Sequence, residues 1–245
     1  MKPKISYNQG FEDIDVLILC GGRGSRLWEV ISDRPKPMAS IEQRPFLDIL
    51  IDYFSRFGLR RFILCTGYMS EVIERYYRSK QTRLEIVFSD ESKPLGTAGA
   101  VKNAEKFIQS RTFLVANGDS FCEIELHKFF VFHLEHRAVL SIAVTESKGN
   151  EDVGLIRLDA DRKIIGFREK EQIQGEGFTN TGIYLFEKRI LSKIEQGRPC
   201  SLEYELFPEL IGRACYGYVS ATKLVDIGTP ERLKWARESF AGGDE

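Results

Sequence analysis

One stretch decides the fold: Asp15-Val-Leu-Ile-Leu-Cys-Gly-Gly-Arg-Gly-Ser-Arg-Leu27. Its first part, up to Cys20, is a short unbroken apolar run, the pattern of a parallel strand buried on both faces. The run ends at Gly21 and Gly22. Glycines at a strand end let backbone N–H groups come close to an anion. Arg26 adds a forked donor that matches phosphate oxygens. No Gly-Lys-Ser/Thr closes the loop, so it is not a Walker A sequence. Leu27 stands where a dinucleotide fingerprint has its third glycine. Taken alone, the glycines read equally well as a tight structural turn.

Working outward, the segment 45–57 carries Phe46, Leu47, Leu50, Tyr53, Phe54 and Phe57 at helical spacing. Pro45 suits its first turn and Gly58 its exit. Strands are predicted at 61–66, 84–88 and 112–116, with helices at 71–78 and 97–108 between them. This β-α-β-α order predicts an α/β fold with a Rossmann-like, doubly wound, mostly parallel sheet. A helix at 126–135 and a strand at 138–145 follow. After Gly154 the pattern changes. Short strands at 155–158, 163–168 and 182–186 are separated by turn residues, with a hairpin turn at 159–162, so antiparallel additions are expected in the second half. A closing helix is predicted at 232–240. The expected organisation is an extension over 1–14, then one domain over 15–240 with halves at 15–125 and 126–240.

Composition narrows the function classes. The chain has 245 residues, 42% hydrophobic and 29% charged, enough for a sizeable core. Its net charge of -1 gives no bulk attraction to nucleic acid or acidic membranes, so neither is an expected partner. No apolar run reaches the roughly 18 residues of a membrane span. Met1 to Asp15 lacks the apolar centre of a secretory signal. The five cysteines are scattered, with no C-x-x-C pair, which predicts reduced thiols and a cytoplasmic protein. Cys20 and Cys65 end apolar runs and read as core residues.

Further motifs appear in order. Arg34-Pro-Lys-Pro-Met38 holds Lys36 between two prolines that restrict the backbone. Pro94-Leu-Gly-Thr-Ala-Gly-Ala100, Asn117-Gly-Asp119, Phe167-Arg-Glu-Lys170 and Val225-Asp-Ile-Gly-Thr-Pro230 follow. With the glycine loop, these segments resemble the sugar-phosphate nucleotidyltransferase family from about Val16 to Trp235. Each motif is weak alone; their order is specific. Cys20 departs from the alanine usual before the glycines, and the N-terminal extension is a second departure.

The resemblance implies a nucleotidyltransferase type A-like fold. It also implies an enzyme that joins a nucleoside triphosphate to a sugar 1-phosphate and releases pyrophosphate. It assigns nucleotide binding to Cys20, Gly21, Gly22, Gly24, Ser25, Arg26, Gly96, Thr97 and Gly118. Arg26, Lys36, Asp119 and Lys170 are the implied catalytic residues. Asp119 and Asp226 are the implied ligands of a Mg²⁺ cofactor. Glu169, Lys170, Asn180, Gly182 and Glu203 are assigned to the sugar. Asn180-Thr-Gly-Ile-Tyr184 and Ser201-Leu-Glu-Tyr-Glu-Leu-Phe-Pro208 resemble segments of guanylyltransferases that act on manno-configured sugars. Plainer readings exist: a strand-entry Asn for Asn180, a Ser-x-Glu helix cap for Glu203, a turn-forming Asn-Gly-Asp for Asp119 and a helix-approach cap before Thr229-Pro230 for Asp226.

Within the family the similarity is to short D-glycero-α-D-manno-heptose 1-phosphate guanylyltransferases, which makes GTP the expected nucleotide. Mannose 1-phosphate guanylyltransferases, and thymidylyl- or uridylyltransferases of glucose or N-acetylmuramate 1-phosphate, share many motifs. From other classes, a nicotinamide-dependent oxidoreductase fails on the incomplete fingerprint. A regulatory relative that only senses NDP-sugars fits poorly with Arg26, Lys36, Asp119, Lys170 and Asp226 all in place. A homodimer is the assembly to expect if the chain self-associates.

Overall fold

The computed structural model describes residues 11–147, 155–168, 177–220 and 224–241. Its frame is a nine-stranded sheet. The chain enters through β1 (Asp15–Leu19), then makes a small hairpin of β2 (Ser40–Ile41) and β3 (Arg44–Pro45). Helix α1 (Phe46–Ser55), strand β4 (Arg61–Thr66), helix α2 (Ser70–Ser79) and strand β5 (Glu85–Asp90) follow. Next come α3 (Gly96–Asn103), β6 (Thr112–Asn117), the short β7 (Ser120–Cys122), α4 (Leu126–Glu135) and β8 (Leu140–Glu146). The remainder is β9 (Leu155–Leu158), β10 (Ile164–Arg168), β11 (Phe178–Glu187), the one-turn α5 (Phe207–Glu209), β12 (Cys215–Val219), β13 (Leu224–Asp226) and α6 (Pro230–Ala241).

The central strands β5, β4, β1 and β6 lie side by side and all run parallel, as the sequence predicts. Alternate residues of each strand face opposite cores. Val16, Ile18, Phe62, Leu64, Leu114 and Ala116 pack under α1, α2, α4 and α6. Leu17, Ile63, Cys65, Phe113 and Val115 pack under α3 and the segment from Leu202 to Leu210. Helices on both faces explain why these strands read as continuous apolar runs rather than alternating ones. Each fully buried Phe or Leu contributes about 2 kcal/mol by leaving water.

The antiparallel additions lie beyond β6. Strand β11 pairs with β6 on one edge and with β8 on the other, while β9 and β10 form the predicted hairpin. Asp159 closes its turn by accepting the N–H groups of Asp161 and Lys163. Strand β12 pairs in parallel with β8 and has no counterpart in the sequence reading.

Two expected elements differ. The helix predicted at 97–108 ends at Asn103, and a separate turn spans Glu105–Phe107. Buried Asp15 accepts the N–H groups of Gln109 and Ser110 at 2.6 and 2.8 Å, which pulls this chain out of helix ahead of β6. The strand predicted at 182–186 runs over Phe178–Glu187 instead, with its pairing to β8 irregular between Asn180 and Tyr184.

Candidate active site

The chain leaves β1 for β4 on one side, while β6 is added on the other. In such a sheet a crevice opens at the carboxyl ends of the two strands where the order reverses. The glycine loop leaves β1 there, and Asn117-Gly118-Asp119 leaves β6 there. Gly118 N–H bonds Leu19 O at 3.0 Å and ties the two exits together. A Cβ on Gly118 would fall 2.6 Å from that same oxygen, so the turn requires glycine.

A cleft of about 490 Å³ occupies this position. The whole glycine loop from Cys20 to Arg26 lines it, with Lys36, Gly96, Thr97, Asn117 and Asp119. Among the described residues nothing accepts the N–H groups of Gly22, Arg23 or Gly24. A Cβ on Gly22 would touch nothing within 4 Å, so packing does not demand glycine there. Donors without partners facing an open cleft form an anion cradle. Among the described residues, Asn117 Oδ1 is likewise buried without a partner.

Lys36 sits in a tight turn over Lys36–Met38, with Pro37 in its first turn. The proline-held turn aims Lys36 Nζ at Asp119 Oδ2, 2.5 Å away, with the lysine side chain only 10% exposed. Strands β7 and β13 pair so that Asp226 faces Ser120, and Ile227 N–H bonds Asp119 O at 3.0 Å. This two-stranded ribbon brings Asp119 and Asp226 to one side of the cleft. Asp226 Oδ1 accepts Gly228 N–H at 2.6 Å and Arg232 Nη1 at 3.2 Å. Thus Asp226 also serves in the turn, whereas Thr229 caps the first turn of α6 through Arg232 N–H. Two hard carboxylate donors, Asp119 on the cleft wall and Asp226 next to it in the ribbon, suit Mg²⁺, which typically takes one or two carboxylates and completes its shell with phosphate and water oxygens.

The sugar-side residues are arranged differently. Asn180 Oδ1 accepts Gly182 N–H at 2.9 Å, and its Nδ2 donates to Tyr184 Oη at 2.9 Å. Glu203 Oε2 accepts from Thr97 Oγ1 and Ser201 Oγ, each at 3.0 Å. The capping role falls to Ser201, whose Oγ accepts the N–H groups of Glu203 and Tyr204 while Glu205 accepts Ser201 N–H. The Glu203 carboxylate caps no backbone N–H; it accepts from the Ser201 and Thr97 hydroxyls. The turn over Leu202–Leu206 is π-helical, with Leu206 N–H reaching back to Ser201 O. Glu169 and Lys170 lie outside the described residues.

Two features, one in the cleft wall and one beside it, were not read from the sequence. Glu91 follows β5 directly and lines the cleft beside Gly21 and Gly67. Burial, reinforced by Asp90, holds its carboxyl above the usual range. Its signal was an acidic residue at the carboxyl end of a parallel strand, where open sheets bind ligands. Arg232, the second, gave no signal, because its role depends on α6 starting beside Asp226. Cys20 also lines the cleft, but burial, then Cys65 and Asp119, push its thiol well up, so it is no nucleophile.

A parallel sheet, a glycine loop at its switch point and two carboxylates on neighbouring turns suit the binding of a phosphorylated ligand. Residues 15–240 match the model of the nucleotidyl transferase family, and the chain belongs to that family. Two relatives are named D-glycero-α-D-manno-heptose 1-phosphate guanylyltransferase. The one from Aneurinibacillus thermoaerophilus is 34% identical over 93% of this chain and 98% of its own. The one from Campylobacter jejuni is 34% identical over 89% of this chain and 96% of its own. The crystal structure of HddC from Yersinia pseudotuberculosis complexed with GMP-PN superposes with a TM-score of 0.81. It is 34% identical, covering 93% of this chain and 99% of that one. The chain is thus an enzyme of nucleotidyl transfer. Among the described residues no helix is long and apolar enough to cross a membrane.

Proposed function

We propose that this enzyme transfers the guanylyl group of GTP to D-glycero-α-D-manno-heptose 1-phosphate, giving the GDP-sugar and pyrophosphate. End-to-end similarity to two heptose 1-phosphate guanylyltransferases carries the reading. An acidic residue in the cleft wall, Glu91, supports guanine. Guanine offers adjacent N–H donors on one edge, which a carboxylate such as Glu91 accepts together. Uracil and thymine set carbonyl oxygens beside their single N–H, and these repel a carboxylate.

The reaction is an in-line displacement. A phosphate oxygen of the sugar 1-phosphate attacks the α-phosphorus, and pyrophosphate leaves. No covalent enzyme intermediate forms, so the protein acts by positioning and charge. The loop N–H groups from Gly21 to Ser25, with Arg26, hold the triphosphate, and Gly96, Thr97 and Gly118 shape the nucleoside side. Lys36 and Lys170 neutralise the phosphates at the reacting centre. Asn180, Gly182, Glu203 and Glu169 belong to the sugar side. Asp119 and Asp226 would hold Mg²⁺, which when bound supplies charge neutralisation and Lewis acidity to the phosphates. Lys36 then exchanges its contact with Asp119 for a substrate phosphate. The free cysteines, mostly buried, suit a reducing cytoplasm.

The test is pyrophosphate release with Mg²⁺, crossing GTP, dTTP, UTP, CTP and ATP against manno-heptose, mannose and glucose 1-phosphates. Turnover at least tenfold higher for GTP with the manno-heptose phosphate supports the proposal. A different preferred pair replaces the substrates, and no turnover from folded protein overturns the reading.

A further inference from the structure

A hydrogen-bonded relay crosses the wall behind the cleft. It begins at Gly182, whose φ of 78° makes the kink in β11. The kink coincides with the shift in β8–β11 pairing, as a bulge re-aims neighbouring side chains. Asn180 on one side of the kink thereby reaches Tyr184 on the other. Tyr184 is fully buried among Phe186, Phe207 and the rest of the second core. Its Oη donates to Glu203 Oε1 at 3.4 Å. Glu203 in turn accepts from Thr97, which lines the nucleotide cleft in the first turn of α3. Thr97 Oγ1 also accepts Leu202 N–H at 2.8 Å, locking the π-helical turn to α3.

The direction of every bond follows from chemistry. Asn180 Oδ1 is engaged by Gly182 N–H, so Nδ2 faces the phenol and donates. The phenol then has one proton, and the carboxylate is its acceptor. Burial and the Glu203 charge push the Tyr184 hydroxyl well up, so it stays protonated. A hydroxyl without a core partner would be costly at such a depth, whereas phenylalanine would fill the same space. The tyrosine oxygen therefore serves the two polar groups it joins.

We propose that Tyr184 is a positioning residue that fixes Asn180 and Glu203 for sugar hydroxyls and couples them to Thr97 on the nucleotide side. This rests on the sugar-phosphate transfer proposed above. Loss of the phenol oxygen leaves each group with one anchor fewer: Asn180 keeps Gly182 N–H, and Glu203 keeps the Thr97 and Ser201 hydroxyls. The consequence is weaker sugar binding without loss of the phosphate machinery.

The experiment is steady-state kinetics of Tyr184→Phe with GTP and D-glycero-α-D-manno-heptose 1-phosphate. The KM for the sugar phosphate rises about tenfold, the scale of one hydrogen bond. The kcat and the KM for GTP stay within about twofold. In a Glu203→Gln background the same change adds less than about twofold, because the relay is already broken. Thr97→Val supplies a second variant. It also raises the sugar KM, although Thr97 lies on the nucleotide side. An unchanged sugar KM in Tyr184→Phe, or a Thr97→Val defect confined to GTP, overturns the relay alone. A wild-type enzyme inert with GTP and every manno-configured sugar phosphate overturns the proposed function and the relay together.

Discussion

At the residue scale, the site is a balance of charges around Lys36. The lysine is largely buried against Asp119, and Arg232 sits on Asp226. Each carboxylate thus has a cation partner, which in the proposed reaction turns to a substrate phosphate. Asp119→Asn or Asp226→Asn should lower kcat at least about 100-fold, comparable to losing one electrostatic stabiliser. The thermal midpoint of either should move only a few degrees, since neither carboxylate is deeply buried. Near-normal turnover in both variants would remove the metal assignment. Glu91 makes a second prediction. Glu91→Gln replaces one acceptor oxygen by a donor and leaves one guanine N–H unpaired. The KM for GTP should rise about tenfold or more, with little effect on the KM for the sugar phosphate. Equal loss for GTP and UTP in a competition assay would place the guanine reader elsewhere.

At the element scale, the active site depends on two strand exits and one short ribbon. The exits of β1 and β6 are joined through Gly118, and there is no room for a methyl group. Gly118→Ala should destabilise the protein by about 2 kcal/mol, because Leu19 O must shift and the cradle with it. Urea unfolding measures the loss, and a change below about 0.5 kcal/mol would show that the turn relaxes freely. The β7–β13 ribbon has three register pairs, yet it alone brings Asp226 beside Asp119 across more than a hundred residues of sequence. Motif order anticipated this meeting; the ribbon that produces it has no periodicity to read. Strand β12 escaped notice for a similar reason. Its Cys-Tyr-Gly-Tyr-Val sequence has a central glycine, whose Cβ position is occupied by Leu158.

At the scale of the whole molecule, acid stability should hinge in part on His133. This side chain in α4 is 1% exposed and bonds Ser141 Oγ through Nδ1 at 2.9 Å. Burial, opposed only by Glu187, lowers its pKa to about 4. The unfolded chain protonates first, near the ordinary value of about 6.5. Stability is therefore full above about 6.5 and falls as pH drops toward about 4, on the order of 3 kcal/mol in all. His133→Gln keeps a partner for Ser141 and removes the titration. The loss in unfolding free energy between pH 7 and pH 5 should shrink by about 2 kcal/mol in this variant. An unchanged pH profile would assign acid sensitivity to other groups.

The sequence by itself determined the parallel core, the glycine loop after β1 and the family. Those features rest on local signals: unbroken apolar runs, glycines at strand ends and a fixed order of short motifs. Asp119 and Asp226 were legible as residues, and so were Asn180 and Glu203. Only the tertiary structure decided what holds them. It put Lys36 on Asp119, Arg232 on Asp226 and Glu91 on the wall of the cleft. It also joined Thr97 to Asn180 through Glu203 and the buried Tyr184, to which the sequence assigned no role. The physical reason is range. Strand and loop propensities act over a few residues, whereas Lys36–Asp119 and Thr97–Glu203 join segments 83 and 106 residues apart. Sheet order and register alone bring them within hydrogen-bonding distance.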